Sequence, residues 1–103
     1  MTSMQGLDCV NELREQGKMM WIEPARGWKV EPEVILTALA SAGFAEYKRE
    51  VARSRRDRAA TGGVWEGLNP DTGSVASAIW VNRRDPSGPV VFIDIDGELL
   101  RDA

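Results

Sequence analysis

Three clusters of turn-forming residues divide the C-terminal part of the chain into short segments. The clusters are TGG at 61–63, NPDTG at 69–73 and DPSGP at 85–89. Between and after them lie VWEGL, SVASAIWVN and VVFIDI, which are rich in β-branched and aromatic residues. This alternation predicts three short strands joined by two hairpin loops. In the last strand Val91, Ile93 and Ile95 share one face and Phe92 and Asp94 the other, as expected for a sheet with helices on one face.

The N-terminal part of the chain predicts two helices around a small β-element. Residues 3–16 have Ser3 as an N-cap and carry apolar residues at helical spacing, namely Met4, Leu7, Val10 and Leu13. KMMWI and WKV then predict two short strands on either side of the turn EPARG. The second helix begins at Pro32 and ends at Gly43, with an apolar stripe formed by Val34, Ile35, Ala38, Leu39 and Ala42.

Residues 44–60 predict a third helix. Phe44, Tyr47 and Val51 keep an approximate helical spacing, after which charged residues predominate. The complete order of elements predicts an α+β fold in which three helices pack on a small, mainly antiparallel sheet. Because a chain of 103 residues has room for one core, we expect a single domain over residues 1–103.

This order of helix, short strand, helix, glycine turn, basic helix and hairpin resembles that of winged helix-turn-helix domains. In the resemblance, ILTALASAGFAEYKREVA forms the helix-turn-helix with Gly43 in its turn, and the hairpin at NPDTG forms the wing. The resemblance implies that the helix after Gly43 enters the major groove of DNA. WIEPARGWKVEPEVI and AIWV are also loosely similar to the winged-helix-like domains that end some conjugative relaxases.

The absence of histidine excludes several kinds of active site. Ser-His and Cys-His nucleophile pairs and histidine-containing metal sites all need the residue that this chain lacks. The single cysteine, Cys9, cannot form an internal disulfide, and its place in the first helix predicts a buried thiol. Since no apolar run approaches the roughly 18 residues that span a bilayer, and no signal-peptide core is present, we expect a cytoplasmic protein. We expect no enzymatic activity and no cofactor.

The stretch VVFIDIDGELL resembles the opening motif of haloacid-dehalogenase-like phosphatases. The resemblance implies Asp94 as the phosphoryl-accepting nucleophile and Asp96 as the general acid and base. That family needs a long α/β domain after the motif, whereas only three residues follow Leu100. Asp94, Asp96 and Glu98 are also too few ligands for a firm metal site. We therefore interpret the motif as the polar end of a strand.

Positive charge is concentrated in residues 44–60 of an otherwise acidic chain. Six basic residues and three acidic ones lie there, although the whole chain carries a net charge of -3. Such a cluster attracts phosphates or an acidic protein surface. The alternative is an exposed helix whose glutamates and arginines pair with one another. The predicted nucleic-acid-binding residues are Lys48, Arg49, Arg53, Arg55, Arg56 and Arg58.

Tryptophans form a second candidate surface. Trp65 and Trp80 lie on neighbouring predicted strands, where they either pack in the core or, if exposed, anchor a protein partner. Two functions stay open at this point. The first is a nucleic-acid-binding module that uses the basic helix and the hairpin wing. The second is a small acidic protein–protein adaptor or inhibitor, of a size and charge that suit an accessory protein of a mobile element.

Overall fold

A computed structural model describes residues 3–82 and 88–102. Within them the elements are α1 (Ser3–Glu15), β1 (Met20–Ile22), β2 (Gly27–Lys29), α2 (Pro32–Ser41), β3 (Ala45–Arg53), β4 (Ala60–Leu68), β5 (Val75–Val81), β6 (Val90–Ile95) and β7 (Glu98–Leu99). One sheet has the strand order β1-β2-β6-β5-β4-β3, with β7 paired to β6, and these pairings are antiparallel. The predictions for the side chains of Ser3, Met4, Leu7 and Cys9, and for most of DPSGP, lie outside the described residues.

The meander of β4, β5 and β6 confirms the strands predicted for the C-terminal part. One row across it places Trp65 opposite Ala78 and Ala78 opposite Ile93, so these side chains share one face of the sheet. All three are at most 1% exposed. α2 covers this face with Ile35 and Leu39, which are fully buried in the same cluster. The core therefore lies between the helices and one face of the sheet.

Both predicted N-terminal helices are present. α2 starts at Pro32, whose missing N–H costs nothing in the first turn, and it ends shortly before Gly43. Gly43 has a φ of 104° and Gly17, after α1, has a φ of 73°, conformations that glycine adopts without steric cost. Val10 brings α1 into the core. Pro32, Gly17 and Gly43 were therefore reliable signals of helix boundaries in this chain.

The predicted third helix is wrong, and so are the three-helix fold class and its winged-helix-like order. Residues 45–53 form the nine-residue strand β3, followed by a loop to β4. β3 pairs with β4 along its length, and this ladder overrides a weak local helical spacing because it pairs the inner edge of β3 and gives β4 a partner on both sides. Phe44 is buried while Tyr47 and Val51 are 57% and 44% exposed, so they form no helical stripe. The architecture is two helices on one face of a predominantly antiparallel sheet.

The TGG cluster is not a turn either, since it lies within β4. A Cβ built on Gly63 would be 2.6 Å from Cε2 of Trp80 and closer still to its Cζ2. On the same face, a Cβ built on Gly67 would be 2.9 Å from Cζ2 of Trp65 and closer still to its Cη2. The two glycines thus leave the space that two indoles occupy, which is a packing role and not a turn role.

Candidate nucleic-acid interface

The loop between β3 and β4 gathers positive charge at one end of the molecule. Residues 53–58, which we call the basic tip, contain four arginines and one aspartate. All of them except Ser54 are exposed. The last pair between β4 and β5 is Gly62 with Val81, so the basic tip projects beyond the end of the neighbouring strand. The predicted basic helix is therefore a strand that leads into a charged loop.

Local hydrogen bonds give the basic tip a defined backbone. The N–H of Ser54 donates to the carbonyl of Ala59 at 2.9 Å, and the N–H of Arg58 donates to the carbonyl of Ser54 at 3.0 Å. Oδ1 of Asp57 accepts the N–H of Ala59 at 3.0 Å. Arg58 has a φ of 63°, a left-handed conformation that residues other than glycine rarely adopt. The arginines are thus carried by an ordered turn.

The four arginines of the basic tip form no ion pair within residues 3–82 and 88–102. Arg53 instead donates to the carbonyl of Arg58 at 3.2 Å. Asp57 is the acidic residue of the tip, and it is engaged with the backbone. Because exposed guanidinium groups this close in sequence add their fields, the tip is a region of positive potential on a chain of negative net charge.

Arg49, in contrast, is held by two carboxylates. Its Nη1 lies 2.9 Å from Oε1 of Glu33 in α2, and its Nη2 lies 2.6 Å from Oε1 of Glu46. Nε1 of Trp65 donates to the same oxygen of Glu46 at 2.7 Å. The hydrogen bond from Arg49 keeps the pKa of Glu46 below its ordinary value, and Glu46 raises the pKa of Arg49. Arg49 therefore links β3 to α2, and its guanidinium group is already paired with the two carboxylates.

The remaining predicted residues are separated by the sheet. Lys48 is exposed and stands opposite Glu66 on the face of β3 away from Arg49. Trp65 and Trp80 are 1% and 8% exposed, so both indoles lie in the core. Of the predicted basic residues, the structure brings together Arg53, Arg55, Arg56 and Arg58 and leaves Lys48 and Arg49 on the strand.

The Asp-x-Asp-Gly stretch forms a hairpin turn between β6 and β7. Asp96 and Gly97 have φ values of 54° and 85°, as the two central residues of a type I′ turn require. Oδ1 of Asp96 accepts the N–H of Val75 at 2.8 Å. Oδ1 of Asp94 is buried without a hydrogen-bond partner. In the described part of the chain, no three Asp, Glu, Cys or His residues are grouped so that they could hold a metal ion.

The face of the sheet away from the helices offers a second surface. Val64 stands opposite Ile79 and Ile79 opposite Phe92, which makes an apolar row across three strands. Ile79 and, in the next row, Val81 are 49% and 45% exposed. A shallow depression of about 400 Å³ lies between β3, β4 and β5 beside them. We call Val64, Ile79, Val81 and Phe92 the open face. It was missed in the sequence because both faces of β5 carry apolar residues.

Among the described residues, neither helix has the length and apolar character needed to cross a bilayer. No protein-family model, curated protein sequence or solved structure matches the chain. The basic tip and the open face are therefore the features that point to a function.

Proposed function

We propose that this chain is a non-enzymatic module that binds the phosphate backbone of nucleic acids through its basic tip. The observation that carries the proposal is the presence of four exposed arginines on one projecting turn, none of them in an ion pair within the described residues. Arginine suits this role because its planar guanidinium donates two hydrogen bonds to a phosphate. With a single cysteine and hence no internal disulfide, the module suits a reducing cytoplasm.

The backbone of the basic tip supports the same proposal. Arg58 occupies a left-handed conformation in which glycine would cost less, so a charged side chain is kept at an energetic cost. A two-stranded ribbon with a basic end fits against the groove or the backbone of a duplex. The rest of the chain has an excess of acidic residues, which restricts phosphate contacts to the tip and favours weak binding with little sequence preference.

Salt dependence of binding tests the proposal. Fluorescence anisotropy with labelled duplex and single-stranded DNA should show affinity that falls as salt rises, with a log–log slope of about -0.9 per neutralised phosphate on duplex. Replacing Arg55 and Arg56 together with alanine should weaken binding and flatten the slope by up to about 2 units. The matched control is Lys18→Ala with Arg101→Ala, which removes the same charge from exposed positions outside the hairpin.

Two results would overturn nucleic-acid binding. One is the absence of measurable affinity at about 50 mM salt, where non-specific phosphate binders are detectable. The other is an equal loss of affinity in the control variant, because binding would then reflect total charge and not the basic tip.

A second candidate function, a protein–protein adaptor or inhibitor, is favoured by the open face. Exposed Ile79 and Val81 form an apolar surface next to Phe92, and the carboxylates of Glu50 and Glu66 lie on the same face. Ile79→Lys should abolish binding to a protein partner and leave DNA affinity unchanged or higher. Loss of biological activity in Ile79→Lys but not in the Arg55 and Arg56 variant would favour the adaptor.

A further inference from the structure

β3 is the terminal strand of the sheet, and its outer edge is unpaired among the described residues. It is nine residues long, pairs with β4 on one side, and all nine residues are exposed. The outer N–H and C=O groups of such a strand are ready to pair with another strand. Register shifts at Glu46/Lys48 and Ala52/Arg53 enclose a regular run from Lys48 to Ala52.

We propose that this edge pairs with β3 of a second copy of the chain, antiparallel and centred on Arg49. In such a dimer a two-fold axis passes between the two Arg49 residues, and residues equally far from the centre stand opposite each other. Lys48 is then opposite Glu50 of the second copy. The symmetry of the dimer forms this pair twice.

The side chains suit this register on both faces of the strand. Lys48 and Glu50 point to the open-face side, since they pair with Glu66 and Val64 of β4. Val51 stands opposite Gly63 of β4 and so lies on the helix side, where it is 44% exposed. Pairing with a second copy would cover it.

The charged side chains favour this register over the two registers whose centre is shifted by one residue. Moving the centre by one residue places Lys48 opposite Lys48, or Glu50 opposite Glu50, and like charges directly opposite destabilise a ladder. In the proposed register Arg49 faces Arg49, but each guanidinium already has two carboxylates within 2.9 Å. The central arginines are therefore neutralised before the two edges meet.

The paired run is short, so the dimer is weak. A few ladder residues bury less surface than the about 1,200 Å² typical of a stable interface. We expect a dimer that forms only at high protein concentration. Both helix layers lie on the same side of the combined sheet, and the two basic tips lie at opposite ends of the paired strands. This pairing does not depend on nucleic-acid binding.

Sedimentation equilibrium over a range of concentrations tests the pairing through charge exchange. Glu50→Lys places two ammonium groups opposite each other across the interface, and Lys48→Glu places two carboxylates there, so each should raise the dimer dissociation constant by about tenfold. The combined Lys48→Glu and Glu50→Lys variant restores opposite charges and should restore most of the affinity. Glu12→Lys and Lys18→Glu make the same charge changes at exposed positions away from β3 and should have no effect.

Thermal unfolding of every variant distinguishes loss of the dimer from loss of the folded structure. Glu50→Lys is the cleaner variant, because Glu50 stands opposite Val64 in its own chain, whereas Lys48 stands opposite Glu66. A wild-type chain that remains monomeric up to about 1 mM would overturn the proposal. So would a dimer that the folded single variants leave intact, or one that the combined variant fails to recover.

Discussion

Gly67 lies beneath the indole of Trp65, and one added methyl group should disturb the core there. In Gly67→Ala the new Cβ would be 2.9 Å from Cζ2 of Trp65, closer still to its Cη2, and 3.2 Å from Cβ of Phe44. Trp65 cannot move aside freely, because it is 1% exposed and its Nε1 donates to Glu46 at 2.7 Å. Overpacking a well-packed core costs about 1–3 kcal/mol, and with two close neighbours we expect about 2–3 kcal/mol.

A double-mutant cycle with Trp65→Phe identifies the source of that loss. Trp65→Phe alone should cost about 2 kcal/mol, because it leaves a cavity and removes the donor to Glu46. In the double variant the methyl group added at position 67 would fill part of the cavity left by the indole. The double variant should therefore lose less stability than the sum of the two single losses, with a favourable coupling of about 1 kcal/mol or more, measured by urea unfolding followed by far-UV circular dichroism.

Gly73→Ala provides the control for this cycle. Gly73 has a φ of 77° but nothing within 4 Å of the position that a Cβ would take, so alanine there meets backbone strain of about 1–2 kcal/mol and no collision. It should show no coupling to Trp65→Phe. Strictly additive losses for Gly67→Ala and Trp65→Phe, or a silent Gly67→Ala, would refute the packing of Trp65 over Gly67.

Four further variants test other parts of the structure. Ile35→Ala should cost about 2–5 kcal/mol in urea unfolding because Ile35 is fully buried, whereas Thr37→Ala on the exposed side of α2 should be nearly silent. The hydrogen bond from Arg49 is the main reason that the pKa of Glu46 lies below its ordinary 4.5. The ionised Glu46 therefore stabilises the fold above pH 4.5, and this stabilisation is lost as the pH falls through the lowered pKa. Glu46→Gln should remove this part of the pH dependence of the free energy of unfolding. Arg58→Gly should stabilise the fold by about 1 kcal/mol through relief of the left-handed backbone and should weaken DNA binding in anisotropy measurements.

α2 and the C-terminal meander were predictable because local chemistry and tertiary structure agree in them. Pro32 and Gly43 mark the ends of the helix, and NPDTG forms the turn between β4 and β5. β3 was not predictable in the same way. It lies at the edge of the sheet with both faces exposed, so AEYKREVAR lacks the alternation of polar and apolar residues that a half-buried strand shows.

The location of the positive charge could be predicted from the sequence, but the arrangement of the arginines could not. The count of arginines located the basic tip, since charge clusters are visible in any sequence. Which arginines are available depends on long-range contacts, and Arg49 is bound to Glu33, 16 residues earlier. Trp65 and Trp80 could not be assigned to core or surface, because that depends on the glycines of β4 that lie beneath them.

The pairing of β2 with β6 joins two segments that are far apart in the sequence, and this separation affects the order of folding. Trp28 stands opposite Val91 in the ladder, and its Nε1 donates to the carbonyl of Leu100, 72 residues later. During synthesis, the β1–β2 hairpin therefore emerges long before the strand that joins it to the sheet. Closing so large a loop is slow, and β3–β4–β5 can pair first because their contacts are local. We expect the indole of Trp28 to be among the last side chains to become buried during folding.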